Sequence, residues 1–181
     1  MQGNVGFRQS LTRRQEEART LLCGGLDPVV DKIPTAIRAA CRSDAAAAFL
    51  HMTTVADATA EYVSMFKPQF AHWLAIEGGI AMLRLLIAHI HAWHPGIPVL
   101  MDCKVGDIDR TQRQYGHAHQ VLAGADGLNY NGWMGEDTLV SLINPNLPGN
   151  ALVGLGRTSN PKAWDVQDAL MADGRPLWEF M

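Results

Sequence analysis

Three charged residues, Asp102, Lys104 and Asp107, follow the apolar run Val99-Leu100-Met101 in the order D-x-K-x-x-D. A strand alternates its side chains with a period of two, so Asp102 and Lys104 share one face. An ammonium held beside a carboxylate is equipment for electrostatic and proton-transfer chemistry. If the strand belongs to a barrel and ends there, both charges sit at the mouth, where barrel enzymes keep their chemistry. Gly106 breaks the strand, and Asp107 lies on the loop beyond, free to aim elsewhere. A surface loop with three solvated charges would give the same pattern, so the positioning elements have to decide.

The chain has 181 residues, 48% of them hydrophobic, a net charge of -3 and a mean hydropathy of -0.03. That describes one soluble domain, spanning 1–181, with enough apolar material for a sizeable core. Slight acidity without a basic stripe argues against nucleic acid as the main partner. Cys23, Cys41 and Cys103 are odd in number and lack metal-ligand spacing, which predicts reduced thiols and a cytoplasmic location. The charged N-terminus has no signal-peptide core, and no apolar run is long enough to span a bilayer, so no membrane partner is expected.

Taken in order, the sequence predicts a lead-in helix from Phe7 to Thr20 and a short strand at Leu21–Leu26, ended by Asp27-Pro28. Ser43 is placed to cap a helix running through Ala60. Val63–Phe66 is a second strand, ended by Lys67-Pro68, and Ile76–Trp93 a long helix with Leu83, Leu86, Ile87 and Ile90 on one side. The D-x-K strand follows, then a helix over Thr111–Leu122. A strand over Gly124–Asn131, a helix beginning near Asp137, a strand at Ala151–Arg157 and a last helix from Trp164 to the chain end complete the pattern.

Strands alternating with helices predict a parallel sheet with right-handed crossovers. An open doubly wound sheet and part of a (β/α)8 TIM barrel both fit. No G-x-G-x-x-G follows the first strand. Polar residues or Gly/Pro breaks at every strand's end favour the barrel, with five βα units in this chain.

Five segments, in this order, resemble orotidine 5′-phosphate decarboxylase, particularly its longer bacterial group. They are Gly25-Leu26-Asp27-Pro28, Phe66-Lys67-Pro68-Gln69, Asp102-Cys103-Lys104-Val105-Gly106-Asp107-Ile108, Asn131-Gly132-Trp133-Met134-Gly135 and Thr158-Ser159-Asn160-Pro161. Asp165-Val166-Gln167-Asp168 is similar to that group as well. The resemblance implies a cofactor-free and metal-free carboxy-lyase of pyrimidine biosynthesis, converting orotidine monophosphate to uridine monophosphate. It implies that Asp27 and Lys67 contact the ribose hydroxyls and that Lys67, Asp102, Lys104 and Asp107 form an alternating charge network. Asp107, Ile108 and Thr111 would reach the neighbouring subunit's site in a homodimer. Asn131 would join the substrate-binding set, and Ser159 would hydrogen-bond the pyrimidine.

This sequence departs from the family at Val105, often Arg, and at Gly132 and Trp133, where proline and tyrosine are usual. A complete (β/α)8 domain has roughly 250 residues, and the family grips the substrate phosphate with loops after its last strands, to which nothing here aligns. The chain is therefore expected to be a fragment, a half-barrel completed by a second chain, or a paralogue. Two other functions stay open. One is a Mg2+-dependent sugar-phosphate decarboxylase or aldolase of the same superfamily, which shares D-x-K-x-x-D; the other is a non-catalytic half-barrel that binds a partner chain or a nucleoside.

The remaining polar residues receive blander readings. His89, His91 and His94 lie close together, and His117 lies near His119, but helix neighbours two apart do not face each other, which argues against a metal site. Trp73 and Trp93 read as packing residues, Cys103 as a side chain turned away from the site, and Asp126 as solvated.

Overall fold

A computed structural model describes residues 6–180. Five parallel strands alternate with helices in the order expected. They are β1 (Cys23–Gly25), β2 (Met65–Lys67), β3 (Leu100–Val105), β4 (Gly127–Tyr130) and β5 (Ala151–Gly154). β1 pairs with β2, and β3 with β4 and β4 with β5, all in parallel. Single bridges at Phe66–Val99 and Gln69–Asp102 join the two sheets, so the strand order follows the chain from one edge to the other. This is an arc of a βα barrel, with β1 and β5 as its edges among the described residues.

The strands are shorter than the apolar runs that encode them, because Asp27-Pro28 and Lys67-Pro68 interrupt pairing. The principal helices are α1 (Phe7–Ala18), α2 (Thr35–Ala40), α3 (Asp44–Thr59), α4 (Phe70–Leu74), α5 (Gly79–Trp93), α6 (Asp109–Gly116), α7 (Glu136–Leu142) and α8 (Trp164–Gln167). Ser43 caps α3 as expected, its hydroxyl accepting the Ala46 N–H at 3.2 Å. α6 continues as a π-helical turn over His117–Leu122. The last helix is much shorter than the sequence predicts. α8 makes a single turn before an antiparallel bridge, Leu170–Pro176, folds the chain back, and Met181 lies outside the described residues.

The core lies between the sheet and the outer helices. Small residues Ala45, Ala48 and Ala56, with Met52, let α3 approach α5, which buries Leu83, Leu86, Ile87 and Ile90. Phe66, Val99, Met101 and Leu128 meet them from the strands. Each fully buried side chain of this size stabilises the fold by about 1.5–3 kcal/mol. Trp73 is completely buried and donates its indole N–H to Leu26 O at 3.0 Å, tying α4 to the end of β1. A Cβ on Gly79 would stand 2.1 Å from Trp73 O, so only glycine lets α5 begin this close to α4.

Two further sequence expectations fail. Trp93 is 72% exposed on the last turn of α5 and is no packing residue. Asp126 is not simply solvated. Its Oδ2 accepts the Val99 N–H at 2.8 Å and lies 2.9 Å from His91 Nε2, while its backbone bonds to Val99 O and Ala151 N. One residue thus ties α5 to the beginnings of β3, β4 and β5. No helix among the described residues is long and apolar enough to cross a membrane.

Candidate active site

Because all five strands are parallel, their C-terminal ends lie on one side of the arc, and the charged residues collect there. Lys67 ends β2, and its Nζ donates to Asp102 Oδ2 at 2.7 Å. Lys104 Nζ donates to Asp102 Oδ1, and Asn129 Nδ2 donates to the same oxygen at 2.7 Å. The β2–β3 register is locked beside them, the Asp102 N–H meeting Pro68 O at 3.0 Å.

A distortion of β3 makes this convergence possible. Met101 lies opposite Leu128 and Val105 opposite Tyr130, so Asp102, Cys103 and Lys104 face Asn129 alone. The bulge places two more residues in β3 than in β4 and turns Lys104 into the left-handed region at φ 47°. That conformation costs about 1–2 kcal/mol for a residue with a Cβ. Asn129 supports it, its Oδ1 accepting the N–H groups of Cys103 at 2.8 Å and Lys104 at 2.7 Å. The buried Asn129 amide therefore holds the backbone of the bulge with its oxygen and Asp102 with its nitrogen.

Asp102 is only 6% exposed. Burial raises its pKa, but hydrogen bonds from Asn129, Lys104 and Lys67 and the Lys67 charge outweigh burial and lower it to about 2. For Lys67, burial disfavours the ammonium, and the Asp102 hydrogen bond and charge, helped by Asp27, overcome that and raise its pKa. The half-exposed Lys104 side chain is the open face of the cluster. The arrangement can present an ammonium, fixed before any ligand arrives, to a group losing or gaining charge.

The other expected site residues lie beyond the strand ends, and among the described residues none of them is hydrogen-bonded to this cluster. Asp27, exposed beyond β1, accepts the Gln69 N–H at 3.2 Å. Asp107 is half-buried on the loop after β3, where its Oδ1 accepts the Ile108 N–H at 2.7 Å. Among the described residues no hydrogen bond or ion pair joins Asp107 to Lys104. Ile108 caps α6 and is 62% exposed, and Thr111 is exposed in that helix's first turn. Asn131 accepts the Trp133 N–H at 3.0 Å and shapes the turn after β4. Ser159 is exposed on the turn after β5, which Gln167 braces through both Thr158 N and Thr158 Oγ1. A bidentate Arg157–Asp168 pair at 2.7 and 2.9 Å steadies the same turn.

Cys103 points away from the cluster, as expected, with Sγ 3.4 Å from Asn129 O, and burial is the main cause that pushes its thiol up to about 12. Asn129 is the residue the sequence analysis passed over. Its signal was a lone amide inside the otherwise apolar strand Gly127-Leu128-Asn129-Tyr130, a position that folds only if the amide finds partners.

Comparison with known proteins adds to this geometry. Residues 22–176 match the family model for the orotidine 5′-phosphate decarboxylase / HUMPS family. Curated relatives include orotidine 5′-phosphate decarboxylases from Azoarcus sp. (strain BH72), 38% identical over 175 residues, and Cupriavidus necator, 35% identical over 175 residues. These alignments cover 96% and 97% of this chain but 61% of each relative, so the chain spans about three fifths of their length. Among solved structures, Leishmania donovani UMP synthase superposes with a TM-score of 0.82 at 30% identity, over 98% of this chain and 36% of that one. Leishmania donovani OMP decarboxylase gives 0.81 at 30% identity, over 97% of this chain and 63% of that one. A matching family model over most of the chain, the five-strand arc and the Lys–Asp–Lys cluster at its C-terminal rim agree: the chain belongs to the orotidine 5′-phosphate decarboxylase / HUMPS family.

Proposed function

We propose that this chain supplies the catalytic strands of an orotidine 5′-phosphate decarboxylase, a cytoplasmic enzyme of pyrimidine synthesis, and that 1–181 is one partial-barrel domain. The observation that carries this is the grip of one buried carboxylate, Asp102, on two ammonium groups at adjacent strand ends, in a chain of this family. In the proposed step the C6–carboxylate bond of orotidine monophosphate breaks, CO2 leaves, and its electron pair stays on C6. Lys104 Nζ stabilises that carbanion and then gives it a proton, forming uridine monophosphate, and regains a proton from water. Asp102 keeps Lys104 oriented and sets a fixed negative charge beside the substrate carboxylate. All the charges are in place beforehand, so little reorganisation accompanies the reaction.

In the same proposal Asp27 and Lys67 hold the ribose, with Asn131 and Ser159 on the nucleobase side. Asp107, Ile108 and Thr111 complete the site of a second subunit in a homodimer. The exposure of Ile108 and Thr111, and the lack of a Lys104–Asp107 bond among the described residues of one chain, support that placement. Additional βα units, in cis or on a complementing chain, would cover the β5 side and grip the phosphate. Val153 on β5 and Trp164, Leu170 and Phe180 beyond it are exposed apolar groups suited to such a cover.

The test is release of CO2 from orotidine monophosphate by the 181-residue chain, alone and with the last βα units of a relative added in trans, against Lys104→Ala. Turnover in the complemented sample, reduced about 1,000-fold or more by Lys104→Ala, is expected on the scale of lost electrostatic stabilisation. Equal rates for the two proteins, or no turnover with the added units, would refute the proposal.

A further inference from the structure

At the opposite end of the strands, three side chains from two helices converge. Asp57 lies in the last turn of α3, His89 near the end of α5, and His94 is the residue that ends α5. Each imidazole places Nε2 2.7 Å from the same carboxylate oxygen, Asp57 Oδ1. The three potential ligand atoms all lie within 4.8 Å of one another. We propose that Asp57, His89 and His94 form a binding site for a divalent transition-metal ion, with Zn2+ as the fitting cation.

The convergence depends on how α5 ends. Five residues along an unbroken helix turn about 500°, which would leave His89 and His94 roughly 140° apart. At His94 the backbone leaves the helix, with φ -127° and ψ 56°, and the Pro95-Gly96 turn carries the chain away. His94 is swung back beside His89, the two rings meeting edge to face at 6.1 Å. His91 takes no part, since it is directed at Asp126. The spacing that does not converge on a helix is therefore the 89/91 pair, whereas 89 and 94 converge through the helix end.

Two imidazole nitrogens and one carboxylate oxygen are the donor set that suits Zn2+, with further positions left to water. Ligand distances near 2.0–2.1 Å in tetrahedral geometry set donor atoms about 3.3 Å apart, so each Asp57–imidazole distance has to open by roughly 0.6 Å. The imidazoles are about one-fifth exposed and Asp57 about half, which leaves one side of the site accessible to a hydrated ion. Glu61, one turn beyond Asp57, lines the same recess. Arg13 and Arg14 border the same recess, and each is engaged by a partner other than Asp57. Arg14 is bonded to the Val63 and Ala60 carbonyls, and Arg13 pairs with Glu17.

The location defines what the ion would do. The site joins the C-terminal ends of α3 and α5, just before β3 begins, whereas Lys104 lies near that strand's other end. The six residues of β3 span about 20 Å. Residues at this end of a βα barrel serve stability rather than chemistry. The ion would clamp two outer helices and leave the Lys104 cluster untouched.

Titration of the untagged chain with Co2+, followed by its visible ligand-field bands, tests the site. One Co2+ per chain is expected, without the thiolate charge-transfer absorption that binding to cysteine would give. Zn2+ should displace it and raise the thermal midpoint. His89→Ala and His94→Ala should each weaken Co2+ binding at least tenfold while circular dichroism stays unchanged. Should either variant unfold, histidine NMR of the unaltered chain decides, with Zn2+ shifting the Nε2 signals of His89 and His94. No saturable Co2+ uptake, uptake by both variants as tight as that of the unaltered chain, or Zn2+-dependent shifts only at other histidines would overturn the proposal.

Discussion

Replacing Asn129 by leucine keeps much of the side chain's shape and removes all three of its hydrogen bonds. Two backbone N–H groups, of Cys103 and Lys104, lose their acceptor, and Asp102 loses its one uncharged donor. A buried N–H left unpaired costs about 1–3 kcal/mol, and a hydrogen bond to a charged group is worth about 1.5–3 kcal/mol. Solvent near the half-exposed Lys104 argues for the lower part of the first range, and the buried leucine returns about 1 kcal/mol. The net loss expected is about 3–4 kcal/mol, read as a lower urea midpoint with an unchanged slope. Carboxyl NMR should show the Asp102 pKa moving up from about 2 toward the ordinary carboxylate range, because one of the groups that lowers it is gone. A stability loss below about 1 kcal/mol, with Asp102 still titrating near 2, would refute the view that Asn129 holds the bulge.

Asp102→Asn leaves Lys67 and Lys104 without their shared counter-ion and should destabilise the chain by about 2–3 kcal/mol, below the usual 3–5 because both lysines are partly exposed. The pH dependence follows from the sign of the shift. The Asp102 pKa is lowered on folding, so its contribution is complete above about pH 4 and is lost as pH falls toward 2, and urea midpoints in that window should flatten in the variant. Gly79→Ala drives a Cβ into a main-chain oxygen that cannot yield and should cost about 3 kcal/mol or more in thermal or urea unfolding. Cys103 should resist alkylation at pH 8 in the folded chain and react once urea unfolds it, as mass spectrometry of the labelled peptides would show.

The alternation of strands and helices and the Ser43 cap were legible because each rests on local periodicity or local chemistry. The bulge was not. The i, i+2 spacing assigns Asp102 and Lys104 one face only in a regular strand, whereas here a two-residue slip against β4 puts Lys104 in the left-handed region, from which its Nζ reaches Asp102. Asn129 was hidden for the same reason, since its three partners lie about 25 residues away. α2 and α4 escaped notice because six- and five-residue helices carry too few turns for a periodic signal. Convergence of His89 and His94 depends on a helix end, and the histidine spacing assessed was that of an unbroken helix. The last helix, expected from Trp164 to the chain end, is cut short because Gly174 at φ 84° and Pro176 turn the chain back.

The four-way attachment of residue 126 has a mechanical consequence. The Val99 amide, held between the Asp126 carboxylate and the start of β4, should exchange with solvent only through unfolding of most of the arc. Amides of the 106–111 loop, at the other end of the same strand, should open by local fluctuation. The chain thus separates a stiff floor from a pliable rim. Loops on the rim can change length and sequence, and with them what the site accepts, while the floor continues to fix where each strand begins.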